Sequence, residues 1–381
     1  MNDLALYIHW PYCARICPYC DFNVVRAGRD ADEPRALADA IIADLEAQAA
    51  KIGARRLVSI FFGGGTPSLM APDDASRMIE TAKRLFTPAD DLEITLEANP
   101  TDAEAARFAS FAQAGVQRLS LGVQSLNDAS LKTLGRNHDA AEARRAADIA
   151  KKAFARLSVD LIYALPDQSP DAWRGELEEA LAALEPEHVS PYQLTIEAGT
   201  AFARAVARGT LVPPDEDTGA DLFEATQDVL SAHGFDAYEV SNHARSDAAR
   251  SRHNLAIWRG AEYVGVGPGA HGRIVVDGAR TATRGARRIA DYIGRVGETG
   301  LGFDTADVLT GRQVAEERLL LGLRIAEGVP VDALKDLSVA IEAPKVSALR
   351  DAGLIEIDAT HLRATASGRL VLNRVIEDLI L

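Results

Sequence analysis

Six short runs rich in β-branched and aromatic residues punctuate the first half of the chain: LALYIHW (4–10), RLVSIFF (56–62), LEITLEA (92–98), RLSLGVQ (118–124), RLSVDLIY (156–163) and HVSPYQLT (188–195). Each reads as a strand, and the spacing between them leaves room for a crossover helix after each one. The intervening stretches carry the helical period. Leu37, Ile41 and Leu45 recur at i, i+4 and i+8, and Pro72 suits the first position of a second helix whose Met78, Ala82 and Leu85 share a face. Thr101 and Glu104 have capping-box spacing ahead of Phe108 and Phe111, and Gly115 supplies a stop. Repeated six times, this unit predicts an α/β protein whose all-parallel sheet curls into a (β/α)6 TIM-like barrel, full or partial, over residues 1–200.

Beyond residue 200 the pattern loosens. Residues 201–300 read as an extension of the barrel, with a helix at 217–232, a strand FDAYEV at 235–240, then HNLAIW (253–258) and the glycine-rich YVGVGPGAHG (263–272). Residues 301–381 read as a separate small domain. There RQVAEERLLLGLRIAEG predicts a helix ending at Gly328, 344–352 a second helix, LIEI and HLRAT a two-stranded wing, and 367–380 a last helix. That order is winged-helix-like, but the segment lacks a basic stripe, so the expected role is packing or docking.

Composition narrows the function. The net charge of −15 argues against a nucleic-acid partner held by phosphate neutralisation. No apolar run reaches the ~18 residues that would span a bilayer, and the N-terminal stretch has no export-signal pattern, so a cytoplasmic location is expected. The chain has only three cysteines, and all fall within PYCARICPYC, as Cys13, Cys17 and Cys20. A secreted disulfide framework uses an even, dispersed set, so three thiols on one loop point to a metal or cluster. With three thiolates a four-iron cluster keeps one iron open to a chelating substrate, such as the amino and carboxylate groups of S-adenosylmethionine (SAM). The alternative is a structural zinc held by these cysteines and His9 as a Cys3His set.

The strand ends offer further candidates. GGGTPS (63–68) follows the second strand and lets backbone groups approach a ligand, or is an ordinary tight turn. Glu97 and Asp160 can accept from ribose hydroxyls or an ammonium, and Gln124 and Arg136 can bond a carboxylate, with a solvated or structural role the plain alternative for each. Tyr7 and Tyr19 can pack on an adenine, with a core role equally open to Tyr7. His253, Asn254 and Trp258 form a second cluster, with His271 not far beyond; a histidine and a flat apolar wall suit haem, and a satisfied structural histidine is the plain alternative.

The segments YIHWPYCARICPYCDFN, FFGGGTPS, LEANP, GVQSL, LGRNH, VDLIYALP and YEVSNHAR resemble the oxygen-independent coproporphyrinogen III oxidase group of radical-SAM proteins over nearly the whole chain. The resemblance implies that Cys13, Cys17 and Cys20 ligate a [4Fe–4S] cluster. It implies that Tyr7, Gly64 and Glu97 contact the SAM bound to it, and that Tyr19, Gly65, Thr66, Gln124, Arg136 and Asp160 match further SAM-contacting positions. True oxidases carry a fourth cysteine two residues beyond the third, where this chain has Phe22. That departure and the HNLAIW segment are similar to the HemW-type haem chaperones, whose His-Asn-x-x-Tyr-Trp motif is matched here except for Ile257. The implied function is haem binding, with His253 as candidate haem residue, and delivery to haem-dependent respiratory proteins at the inner membrane. The implied partners are haem, those proteins and a second copy of the chain. The rival reading is the oxidase itself.

Overall fold

In the first strand, β1 (Asp3–Trp10), nearly every residue is buried on both faces, as expected where helices cover one side of a sheet and a barrel lumen the other. The computed structural model describes residues 2–28, 32–337 and 343–380. β1 runs parallel to β2 (Arg56–Gly64), which runs parallel to β3 (Thr87–Ala98). The series continues, still parallel, through β4 (Arg118–Gln124), β5 (Arg156–Tyr163) and β6 (His188–Gln193). The six expected strands are therefore present in the expected order, and their register sets lumen-facing polar residues side by side: Glu97 beside Ser120, and Asp160 beside Ser190.

The barrel does not close on itself. The other neighbour of β1 is β7 (Glu262–Val266), again parallel, and from there the sheet continues antiparallel through β8 (His271–Val276), β9 (Ala279–Gly285) and β10 (Phe303–Val308). The outer helices α1 (Glu33–Ile52) and α2 (Pro72–Leu85) bury the stripes that the sequence predicts, including Leu37, Ile41, Leu45, Met78 and Ala82. One apolar core joins them to the outward faces of the strands.

The lower, N-terminal end of the barrel is plugged by the short helix α3 (Arg252–Trp258). Its first turn is tied to the strands: the His253 N–H donates to Glu93 Oε1 at 3.1 Å, and the Glu93 carboxylate is paired with Arg156 at 2.7 Å. A closed floor leaves the upper end, where the strands terminate, as the place for a ligand.

Four expectations change. The capping box at Thr101 is only half made. Thr101 Oγ1 accepts from the Glu104 N–H, but the Glu104 carboxylate turns to Ser68 and to the Asn99 N–H, and the helix breaks into Asp102–Ala105 and Phe108–Gln113. The strand expected at 235–240 shrinks to Asp236–Ala237, because Tyr238 and Glu239 are drawn into a buried polar network with His188 and Asn242. The helix expected to run to Gly328 ends at Gly322, which packs so closely on Val329 that an added Cβ would stand 2.5 Å from the valine Cβ. Phe303–Val308, which a boundary at 301 assigns to the last domain, is instead the edge of the main sheet.

The C-terminal unit has its own core, from Ala315 and Leu319 to Val375 and Leu379. Ile355–Ile357 and His361–Ala364 pair antiparallel as the expected wing, with Val329–Pro330 on the other side, and helices cover 344–351, 366–370 and 372–380. Residues 338–342 of this unit lie outside the described set. Among the described residues no helix is long and apolar enough to cross a membrane.

Candidate functional site

The three cysteines sit on the loop that leaves β1 at the open end. Two-residue strands, Tyr12–Cys13 and Val25–Arg26, pair in parallel and brace the loop at its base, while the Cys20 N–H donates to the Cys17 carbonyl at 3.2 Å. Cys13 is buried, and Cys17 and Cys20 are half-buried. Two neighbouring loops hold this one in place. Gly135, in the left-handed region at φ 68°, lies so close to Pro18 that a Cβ would come within 2.6 Å of the proline ring, which accounts for the glycine in LGRNH. Gly64, at φ 109°, is packed against His9, and a Cβ there would stand 2.5 Å from the imidazole.

All three thiols line a cavity of 450 Å³ together with Tyr19, Gly64, Gly65, Thr66, Glu97, Gln124, Arg136 and Asp160. Ten of the expected strand-end and loop residues were Tyr7, these eight and His253; only Tyr7 and His253 lie outside this cavity. Gln124 is aimed by backbone geometry: a register shift between β4 and β5 puts it in the left-handed region at φ 66°. Arg136 donates to the Gly122 carbonyl at 2.9 Å, to Asn99 Oδ1 and to Cys17 Sγ at 3.4 Å. Asn99, which the sequence reading passed over inside LEANP, also donates to Thr66 Oγ1 at 3.1 Å and so ties three strand ends together.

The donor set distinguishes the two metal readings. His9 is committed at both ring nitrogens, to the Tyr7 hydroxyl at 3.0 Å and the Asn23 carbonyl at 2.8 Å, so it is not available as the fourth ligand of a Cys3His zinc site. Three thiols opening on a roomy cavity, with Gln124 Oε1 and Arg136 Nε buried and unpartnered among the described residues, fit a cluster that presents one iron to a ligand carrying polar groups. Burial, foremost, pushes the Cys13 thiol up to about 11 and raises Cys20 as well, so iron binding must displace their protons.

Carboxylates face this cavity from two strands. Burial, then the nearby Asp160, raises Glu97 to about 8, and burial also raises Asp160, which accepts from Ser120 Oγ at 3.1 Å. Glu97 also accepts from the Gly64 N–H at 3.2 Å. The folded chain therefore binds a proton at Glu97 more readily than the unfolded one. Its stability should fall as pH rises from the ordinary carboxylate range through about 8. Glu97→Gln should flatten that slope and raise Tm at pH 8, which thermal melts of both proteins across pH 5–9 would show.

HNLAIW sends its side chains in different directions. His253 points into the floor, where Nδ1 shares a hydrogen bond with Ser59 Oγ at 2.9 Å and the ring stacks on Phe61 at 4.8 Å; burial pushes it down to about 4. Trp258 packs beside Tyr238 and Ile325, toward the C-terminal unit. Ile257 alone of the segment reaches a second cavity, of 470 Å³, which shares Asp21, Phe22, Gly64 and Glu97 with the first. Tyr7, His9, Tyr263, His271, Arg284 and Arg287 also line it. The β8–β9 hairpin that brings His271 and Arg284 here turns through Asp277-Gly278, both at positive φ. Asp-Gly between apolar runs is a strong hairpin signal, and the sequence could have revealed it.

A parallel barrel with three cysteines above its first strand and polar strand ends beneath them defines a radical-SAM protein. The family model described as the radical SAM superfamily matches residues 7–200, and that of the HemN C-terminal domain matches 309–371. Over 382 residues the chain is 36% identical to the heme chaperone HemW of Escherichia coli, covering 99% of this chain and 98% of that one. It is 39% identical to the mitochondrial radical S-adenosyl methionine domain-containing protein 1 of Bos taurus, over 99% of this chain and 87% of that one. Coproporphyrinogen III oxidase (HemN) of E. coli superposes with a TM-score of 0.81 at 22% identity, over 99% of this chain and 90% of that one, which shows the shared fold. The chain belongs to the radical-SAM superfamily and, within it, to the HemW-type group.

Proposed function

We propose that this protein is a haem chaperone: it binds haem, carries a [4Fe–4S] cluster with SAM, and delivers haem to haem-dependent respiratory proteins at the membrane. The observation that carries the reading is Phe22. Two residues past the last cysteine, where the oxidases have a fourth cysteine, the chain has an exposed phenyl ring that lines both cavities. The name heme chaperone, borne by relatives matched over nearly the full chain, supports it. In this reading Cys13, Cys17 and Cys20 hold the cluster. Gly64, Gly65 and Thr66 bring backbone and hydroxyl groups to SAM, Glu97 and Asp160 accept from its donors, and Gln124 and Arg136 hold its carboxylate. The cluster, when bound and reduced, supplies an electron to SAM.

The rival oxidase reading makes the opposite forecast for one sample. Anaerobically reconstituted protein should take up haem, seen as a Soret band that saturates at a fixed ratio per chain, and should form no protoporphyrinogen from coproporphyrinogen III. Efficient turnover of that substrate would overturn the chaperone reading.

A further inference from the structure

The second cavity has the chemistry of a seat for a flat, dianionic, iron-bearing ring. Phe22, Ile257 and Tyr263 supply apolar wall, and His271, Arg284 and Arg287 supply nitrogen. At 470 Å³ it falls in the size range of pockets that enclose large cofactors.

An iron ligand needs an imidazole nitrogen that is free and faces the ligand. Two of the eight histidines line this cavity, His9 and His271. His9 is committed at both nitrogens, as described above. His253 is buried in the barrel floor, bonded to Ser59, and does not line the cavity. His271 stands at the start of β8 with an exposed side chain, and among the described residues neither of its ring nitrogens has a hydrogen-bond partner.

The arginines are placed to receive carboxylates. Arg284 is directly opposite His271 on the neighbouring strand, so the two side chains leave the same face of the sheet. It is ion-paired through Nε with Asp304 at 3.5 Å, a contact too long to be a hydrogen bond, so among the described residues its guanidinium keeps its hydrogen-bonding capacity for a ligand. Arg287 is exposed, and among the described residues its side chain holds only a 3.4 Å contact from Nε to Asn23 Oδ1, leaving its outer nitrogens for a ligand. A planar guanidinium matches a carboxylate with two hydrogen bonds. The carboxylates of this cavity, Asp21 and Glu97, belong to the wall it shares with the first cavity.

We infer that haem sits in this cavity with His271 as its iron ligand, in place of His253, and with Arg284 and Arg287 holding its two propionates. This assignment rests on the haem-binding reading above and gives that reading a site.

Ferric haem and iron-free protoporphyrin IX, titrated separately into the full-length chain, separate the two kinds of contact. His271→Ala should lower haem affinity by roughly tenfold or more, shift the Soret band, and leave protoporphyrin IX binding unchanged. Added imidazole should restore the wild-type spectrum. Arg284→Gln with Arg287→Gln should weaken both porphyrins roughly tenfold, because the propionates are common to them. Far-UV circular dichroism confirms that each variant is folded, and His271 is exposed enough for its truncation to leave the fold intact. His253→Ala should keep the wild-type Soret band while losing thermal stability. An unchanged spectrum and affinity in His271→Ala would overturn the assignment and leave haem binding standing. A wild-type chain that takes up protoporphyrin IX and haem equally weakly, with no Soret shift, would overturn the haem reading itself.

Discussion

Cys17→Ala yields a folded chain that no longer assembles an iron–sulfur cluster. Three thiolates are the whole protein contribution to a four-iron cluster with one open iron, and with two of them the assembly loses a second anchor. The effect should be all or nothing: iron and acid-labile sulfide per chain fall to background after anaerobic reconstitution, together with the visible absorbance. Cys17 is the best of the three for this test. It is half-buried on a loop, whereas Cys13 is buried beside Thr66 and its truncation would also disturb packing. The loss of the Arg136 contact to Cys17 Sγ should lower stability by about 1 kcal/mol, too little to unfold the chain. Full iron loading in the variant would remove Cys17 from the ligand set.

Glu93→Ala should produce the largest loss of stability at any single position described above. The carboxylate is 1% exposed, paired with Arg156 at 2.7 Å, and it accepts the His253 N–H at 3.1 Å. Burial pushes Glu93 up, but Arg118, Arg156 and two backbone donors outweigh it and hold the group below the ordinary carboxylate range. Alanine would take from Arg156 one of its two carboxylates, leaving Glu187 at 2.8 Å, and would leave the buried His253 N–H without its acceptor, at a cost of about 1–3 kcal/mol. Urea denaturation of wild type and variant at pH 7 measures it. Acid should reproduce part of the loss. A lowered carboxylate contributes stability above its unfolded pKa, and that contribution fades as pH falls through the still lower folded value. The wild-type slope on the acid side should therefore be steeper than that of Glu93→Ala. The cysteine loop, at the opposite end of the barrel, should be undisturbed in any variant that remains folded.

Local periodicity made the barrel legible because each βα unit repeats one decision: an apolar run, a turn, an apolar stripe. It failed where a residue's fate is set by a distant neighbour. Glu104 has the spacing of a capping residue, yet Asn99 and Ser68 claim its carboxylate. Tyr238 and Glu239 alternate like strand residues, yet His188 and Asn242 bind their side chains. The candidate site divides along the same line. Cys13, Cys17 and Cys20 are close in sequence and could be found from spacing alone. Glu97, Gln124, Arg136 and Asp160 are far apart, but Glu97 and Gln124 lie at the ends of strands, Asp160 within one and Arg136 on a loop beyond one, so barrel topology brings them together. His271 and Arg284 meet only through a hairpin on the added sheet, and that hairpin follows the region where the repeat has already lapsed.

The two cavities have a party wall: Asp21, Phe22, Gly64 and Glu97 each face both. A ligand that moves Glu97, or changes its proton, alters the affinity of the neighbouring chamber, and reciprocity requires the second occupant to act back on the first by the same factor. Loading in one chamber would then register in the other through that one carboxylate.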